Sequence, residues 1–328
     1  MDLTQALDAA QLIGIDWGSS SLRAFLIGAD GQALAQRSTG QGASTLSGGV
    51  AFAAVLEQVA GDWMHARPAL PVLACGMVGS QYGWLDVPYA ACPADASAVA
   101  AGLRRVAGAS GPAIVPGLLH DGGALPPDLM RGEETQIFGA LALRPELIAA
   151  ACIVLPGTHS KWARVDAGRV AGFATHMTGE LFAVLRQHSV LGRLMEASGG
   201  GAEDAFAQGL DMARDHGHLG LGHQIFAARS LGVTGRMAQD ELADYLSGLL
   251  IGHELGAGLA WRAEAGLQDA PLALAGSSDL CGRYALALRR YAGVDALVLD
   301  NTAPAGLLYL ARAAGLAAPA SLLTENAS

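Results

Sequence analysis

Lysine is almost absent from this chain: of its 20 Lys and Arg residues all but Lys161 are arginine. An exposed cation is mostly a solvated charge that arginine carries equally well, whereas a site needing a compact ammonium resists the exchange, because a guanidinium is planar and larger. Lys161 is therefore a candidate functional residue. Cysteine is scarce too. Cys75, Cys92, Cys152 and Cys281 stand far apart with no close pair, which excludes zinc-type spacing and a dense disulfide framework. Cys75, Cys152 and Cys281 lie in or beside apolar segments and read as small buried hydrophobes. Charged residues make up only 15% of the chain and hydrophobic ones 52%, much of it alanine, yet no uninterrupted apolar run reaches the roughly 18 residues of a spanning helix. Residues 1–11 carry Asp2 and Asp8 and no basic group, unlike a secretion signal, so a cytoplasmic location is expected. The net charge of −10 opposes binding to nucleic acid, whose phosphates demand clustered cations. Neither nucleic acid nor membrane is an expected partner, and any anionic ligand must be met by local features.

What is present reads as a layered α/β chain. At 328 residues it is about twice a typical domain length. Leu12-Ile13-Gly14-Ile15-Asp16 is a short β run that breaks into a Gly/Ser turn, and residues 22–27 alternate like a second strand. Asp30-Gly31 makes a tight turn into a third strand at 33–37. Residues 50–66 place Val55, Leu56, Val59 and Trp63 at helical spacing, and 71–75 reads as a buried strand ending in Gly76. The stretch 88–127 is turn-rich, with a short helix expected over 95–106 and a strand near 113–115. Residues 131–143 form a helix headed by Glu133 and Glu134, near the positive end of its dipole. The opening pattern then recurs: strand 152–155, the turn Gly157-Thr158-His159-Ser160, strand 161–165, an Asp166-Ala167-Gly168-Arg169 turn and strand 170–174. This is an internal duplication of architecture. Helices are expected over 179–188, 202–215, 223–230 and 239–261, then a buried strand at 271–275. Gly276-Ser277-Ser278 leads into a helix at 279–291, and a strand at 296–299 and a helix at 304–314 close the pattern.

The two small-residue turns leave backbone N–H groups and hydroxyls free to approach an anion, and two of them facing each other could clamp a polyphosphate. Asp16 ends a buried strand beside the first turn. A carboxylate there is costly unless it is paired or holds a cation, so a Mg²⁺ or metal-water contact is the sharp reading and a turn-capping acceptor the plain one. Gly18, Ser19, Ser20 and Ser21 supply amides and hydroxyls for phosphate. Gly76-Met77-Val78-Gly79-Ser80 follows a strand end, where α/β lobes commonly place ligands, and Trp84 could stack on an apolar sugar face; Trp17, Met77 and Trp84 equally suit a core. His216-Gly217-His218, at a helix end, reads as solvated.

The order of these elements resembles the five-segment signature of the actin, hexokinase and heat-shock chaperone ATPase superfamily, over nearly the whole chain. Within it the segments Asp16-Trp17-Gly18-Ser19-Ser20-Ser21-Leu22-Arg23, Cys75-Gly76-Met77-Val78-Gly79-Ser80, Tyr82-Gly83-Trp84 and Met130-Arg131-Gly132-Glu133-Glu134-Thr135-Gln136 are similar to the 2-dehydro-3-deoxygalactonokinase family. So are Leu155-Pro156-Gly157-Thr158-His159-Ser160-Lys161-Trp162, Met177-Thr178-Gly179-Glu180-Leu181, His188-Ser189 and 246–252. The resemblance implies a two-lobed actin-like, ribonuclease H-like fold with a duplicated mixed sheet, flanking helices and a ligand cleft between lobes. The implied division is 1–142 (first phosphate hairpin, sugar site, connecting helix), 143–302 (second phosphate hairpin, adenosine site) and 303–328 (a C-terminal crossing helix). It implies ATP and Mg²⁺ as cofactors and a sugar acid as substrate. The reaction implied is phosphoryl transfer to the 6-hydroxyl of 2-dehydro-3-deoxy-D-galactonate, in D-galactonate breakdown.

By the same resemblance Lys161 faces the β- and γ-phosphates, with Gly157, Thr158 and His159 as companions, and Gly276, Ser277 and Ser278 lie where the adenine packs. Glu134 takes the place of the glutamate that orients the attacking nucleophile and is chosen as general base, with Asp16 and Glu180 competing for that role. An anionic substrate asks for a cation, and Arg131 and Arg23 lie in matching motifs. The substrate set is then Trp17, Arg23, Met77, Gly79, Ser80, Trp84, Arg131 and Glu180. One departure stands out: chaperone-type second turns usually begin with Asp where this chain has Pro156, which puts metal coordination from that turn in doubt. Rival readings are a kinase for another sugar or keto-aldonic acid, and a catalytically silent sugar or nucleotide sensor, the latter disfavoured by Asp16, Glu134 and Lys161. A homodimer is left open.

Overall fold

The opening apolar alternation folds as an antiparallel hairpin, Leu12–Trp17 against Leu22–Ile27, in a register that sets Asp16 opposite Arg23. In this computed structural model, which describes residues 2–108, 111–123, 125–196 and 202–319, the hairpin is the centre of a six-stranded sheet. Ala33–Thr39 pairs antiparallel on one side. On the other, Val72–Gly76 pairs parallel, so that Asp16 lies beside Cys75. Ala113–Ile114 and Arg104–Arg105 complete it. Helix Gly49–Ala66 buries Phe52, Val55, Leu56, Val59 and Trp63 against Ile13, Ile15, Leu22 and Leu26 of the sheet, and each large side chain so covered contributes about 1.5–3 kcal/mol of hydrophobic stabilisation.

A second sheet repeats this plan. Its order runs Arg169–His176, Ser160–Asp166, Ala150–Leu155, Leu272–Gly276, Leu297–Asp300, and its last three strands pair parallel. Three consecutive strands followed by parallel neighbours occur in both sheets, which is the duplicated mixed sheet of the actin-like ATPase fold. The chain divides into two units, Met1–Ala149 with Val165–Gly172 and Asn301–Ser328, and Ala150–Arg164 with Phe173–Asp300.

In the first unit, helix Glu133–Leu143 crosses helix Ala303–Ala313 at two glycines. A methyl on Gly139 would lie 1.9 Å from the Thr302 carbonyl oxygen, and one on Gly306 1.8 Å from that of Thr135, so backbone touches backbone and only glycine fits. In the second unit, helix Glu203–His216 packs along Leu242–Glu264, placing Phe206, Leu210, Ile251 and Leu255 in one core and Leu246 and Leu249 in another. Cys75, Cys152 and Cys281 are buried and all four cysteines are free thiols.

The structure departs from the sequence expectations in four places. The helix expected over 95–106 is Ala96–Ala101, capped by the Asp95 side chain at one end and Gly102 at the other; Arg104–Arg105 has gone to the sheet. The helix expected over 223–230 is two pieces, Leu221–Gln224 and Ala227–Val233. Within the turn-rich stretch a small sheet forms from Ala90–Ala91, Leu118–His120 and Asp128–Met130. A short helix, Leu3–Ala9, opens the chain on a capping box between Asp2 and Gln5. Among the described residues no helix is long and apolar enough to cross a membrane.

Candidate active site

In the first unit the expected residues converge on the ends of two neighbouring strands. Asp16 occupies the last but one position of its strand, with 16% of its side chain exposed, and its Oδ2 accepts from Arg23 Nη2 at 2.5 Å. Its Oδ1 lies 3.9 Å from the Cys75 sulfur. Beyond it the turn is exposed at Ser19, Ser20 and Ser21, while its carbonyls are tied back: Ala43 N–H donates to Gly18 O at 2.9 Å, and the Ser44 hydroxyl to Ser19 O at 2.6 Å. The turn is thereby held from behind, with its small side chains facing out.

Glu134 heads the next element. Gly76, with φ of 90°, and Gly132, with φ of 110°, meet so closely that a methyl on Gly132 would stand 3.2 Å from the Gly76 Cα. This brings the start of helix Glu133–Leu143 to the end of strand Val72–Gly76. Glu134 is fully buried, accepting from the Gly132 amide at 2.6 Å and the Thr135 hydroxyl at 3.1 Å. Burial, reinforced by the neighbouring Glu133 charge, pushes its carboxyl up to about 7. The buried Cys75 thiol is raised by desolvation and then by the negative charges of Asp16 and Glu134. Both carboxylates therefore lie near enough to act on one thiol.

The remaining residues expected at the sugar divide. Trp17 is core: 1% exposed, its indole donating to Gln41 O at 3.0 Å and its ring 5.2 Å from Phe52. Trp84 shares that cluster, 6.1 Å from Phe52 and stacked on it, but is only partly buried. Met77, Val78 and Gly79 form one turn after the strand, closed by the Ser80 hydroxyl donating to Met77 O at 2.8 Å. Arg131 adjoins that turn. Arg23, expected to serve the substrate, is engaged by Asp16.

In the second unit the other matched motifs meet. The turn from Pro156 to Ser160 packs on the start of helix Thr178–His188, where Glu180 N–H donates to Thr158 O at 3.0 Å and a methyl on Gly179 would stand 2.4 Å from Gly157 O. His159 contacts the Glu180 carboxylate, both half-exposed. Lys161 is 4% exposed and donates to the Thr175 hydroxyl at 2.7 Å. Beside the turn opens a cavity of about 780 Å³, lined by Gly157, Thr158, Thr178, Ser247, Ser277 and Tyr284 among others. Gly276 ends the strand leading to it, and Ser277 and Ser278 start the helix Ser278–Ala292 at its wall.

The sequence model of the 2-keto-3-deoxy-galactonokinases matches residues 16–310. The chain belongs to that family. This kinase is 37% identical over 307 residues to the 2-dehydro-3-deoxygalactonokinase of Escherichia coli, covering 93% of this chain and 98% of that one. It is 34% identical over 310 residues to a probable 2-dehydro-3-deoxygalactonokinase of Rhizobium meliloti, with the same coverage of 93% and 98%. A crystal structure from Sinorhizobium meliloti, itself only provisionally given that designation, superposes with a TM-score of 0.80 at 33% identity, over 92% of this chain and 98% of that chain.

Sequence reasoning missed the residues beneath the kinase's second turn. Glu254, 3% exposed, accepts from the Trp162 indole at 2.9 Å and the Tyr284 hydroxyl at 2.6 Å. That hydroxyl lies 3.1 Å from the Ser160 hydroxyl, and Gly157 N–H donates to Ser160 at 3.4 Å. Burial, followed by the Glu254 charge, holds the Tyr284 phenol well above its usual range, so it remains a donor. A visible signal existed: Glu254 falls between Ile251 and Leu255 on the apolar face of its helix, where a carboxylate persists only if it is fully hydrogen-bonded. Asp244 and Arg283, paired at 2.6 Å on the cavity wall, were missed as well.

Proposed function

We propose that this kinase transfers the γ-phosphoryl group of ATP to the 6-hydroxyl of 2-dehydro-3-deoxy-D-galactonate, giving ADP and 2-dehydro-3-deoxy-6-phospho-D-galactonate in D-galactonate breakdown. Family membership supports the substrate class. One observation carries the chemistry: Glu134 is a fully buried carboxyl raised to about 7. A base of that affinity is half ionised near neutrality, where general catalysis is most effective. Glu134 takes the proton of the 6-hydroxyl as the bond from O6 to the γ-phosphorus forms and the bond to the β,γ-bridging oxygen breaks, the electron pair leaving on ADP. The Gly132 amide and Thr135 hydroxyl fix the carboxyl's orientation, so little reorganisation is needed when the hydroxyl arrives.

A nucleotide-escorting Mg²⁺ suits the donor set. Such an ion takes one or two carboxylates and fills its other positions with phosphate oxygens and water. Asp16 offers a strand-end carboxylate whose Oδ1 lies by the Cys75 thiol, and among the described residues no trio of His, Cys, Asp or Glu makes a self-contained cage. Asp16 would hold the ion, directly or through water, and the ion's charge would neutralise the β- and γ-phosphate oxygens. Within the first unit Gly18, Ser19 and Ser20 offer donors to phosphate, and within the second Gly157, Thr158, His159 and Lys161 do so. The cavity beside Ser277 takes the nucleoside, against Gly276 and Ser278. Met77, Gly79, Ser80 and Trp84 border the sugar, and Glu180 orients His159.

The test is an ADP-release assay with the purified protein, ATP and three acceptors: the galacto acid, its C4 epimer of the gluco series, and a neutral hexose. Fastest turnover with the galacto acid, with phosphorus NMR placing the new ester on C6, is the expected result. Faster turnover of the neutral hexose, or binding of both ligands without ADP release, overturns the assignment.

A further inference from the structure

We infer that Arg131, and not Arg23, receives the carboxylate of the sugar-acid substrate and so sets its preference for an acid over a neutral sugar; this rests on the reaction proposed above. Arg131 is only 9% exposed. Its Nη2 donates to Val87 O at 2.7 Å, and its Cζ lies over the Tyr89 ring, 4.2 Å from the centroid. Those two contacts hold the group in place but satisfy one hydrogen out of five. Nε and Nη1 are buried without a hydrogen-bond partner, and among the described residues no carboxylate stands within ion-pair distance of Arg131. Glu133, the nearest acid in sequence, turns its Oε2 to the Arg131 backbone N–H at 3.0 Å rather than to the guanidinium.

A buried, unpaired guanidinium is costly in a fold, and a ligand that brings the missing charge relieves the cost. The anchor at Val87 uses one hydrogen, and the two edges of the guanidinium still present donors, so a carboxylate can be taken by two parallel hydrogen bonds. Gly79 lies beside Nη1 with no side chain between them. A methyl there would stand 3.0 Å from Nη1 and 2.9 Å from the Ile114 side chain. The Gly76–Ser80 segment and Arg131 thus form one wall, and Glu134 follows Arg131 by a single turn of chain. Arg23 is a poorer receptor on every count: 41% of its side chain is exposed, and its charge is already matched by Asp16. Tyr89 has a role of its own, supporting the guanidinium from below by a cation–π contact.

The experiment compares the wild type with R131Q, R131K and G79A on 2-dehydro-3-deoxy-D-galactonate and on its uncharged carboxamide. R131Q should raise KM for the acid by about 10²-fold or more, leave KM for ATP within about twofold, and erase the acid-over-amide preference. R131K should restore part of that preference, since it returns the charge without the fork. G79A retains the guanidinium and carries the test if R131Q does not fold; it should raise KM for the acid more than for the amide. Unchanged acid-over-amide preference in folded R131Q, or in G79A where only that variant folds, overturns the inference. If the wild type leaves the acid unphosphorylated, the reaction falls first, and calorimetry with D-galactonate then decides Arg131. Binding lost in R131Q supports the assignment; binding retained, or absent from the wild type, ends it.

Discussion

The two hairpins share one plan and part company where each enters its turn. The first enters its turn through Asp16, a carboxylate matched by Arg23, and the second through Pro156, which has neither charge nor N–H. Around the first, charge is concentrated: Asp16 and Glu134 both act on the Cys75 thiol. Around the second it is spread out, with His159 on the Glu180 carboxylate, Lys161 bonded to Thr175 and Glu254 buried beneath the turn under two donors. Duplication of a backbone has not duplicated its chemistry. On the proposed reading one copy manages the cation and the proton, and the other supplies phosphate with amide and hydroxyl donors and the Lys161 ammonium.

The comparison breaks most sharply at Asp16. Asp16→Asn keeps the shape and removes the charge, and kcat should fall roughly 10³-fold, the scale of losing a metal-holding carboxylate. A fall under tenfold at saturating Mg²⁺ would return Asp16 to a structural partner of Arg23. Glu134→Gln should cost roughly 10²- to 10³-fold in kcat and erase the limb over which wild-type kcat/KM drops below about pH 7. The stability sign runs the other way. A folded carboxyl at about 7 against 4.5 unfolded favours the fold fully below pH 4.5, and that contribution is lost as pH rises through 7, about 3 kcal/mol in all. Urea titrations from pH 4.5 to 7.5 should therefore show wild type losing stability that the Gln variant keeps.

Effects at the second hairpin should be smaller. Lys161→Ala is expected to lower kcat about 10²-fold with sugar affinity intact, because an ammonium serving developing charge acts in the transition state. Equal loss in thermal melting and in kcat would mark it as structural. Pro156→Asp restores the acid that the first turn has. It should raise KM for ATP about tenfold by repelling phosphate, and an unchanged KM would show that the neutrality of this turn is incidental.

Much of this asymmetry was legible before folding. Asp16 at a strand end and Glu134 at a helix start are carboxylates where burial makes them expensive, and the recurrence of strand, small-residue turn and strand revealed the duplication. What escaped depended on tertiary pairing. Arg23 and Arg131 are alike in sequence, and only the fold commits one to Asp16 and leaves the other with buried, unpartnered nitrogens. Trp17 beside a glycine reads the same whether it serves the substrate or packs on Phe52. The strands Ala90–Ala91 and Leu118–His120 are too short to show a period, whereas the Asp2 and Gln5 box that starts the first helix was a readable signal.

Because Lys161 is the sole lysine of the chain, an endoprotease restricted to lysyl bonds has a single place to cut. That place is 4% exposed and lies within strand Ser160–Asp166, so scission waits on opening of the strand. Two fragments appear on a gel, at a rate that times the local unfolding of the second hairpin without a dye or an introduced label. Nucleotide that settles on this hairpin should slow that clock, which makes digestion a binding assay in which no catalysis need occur.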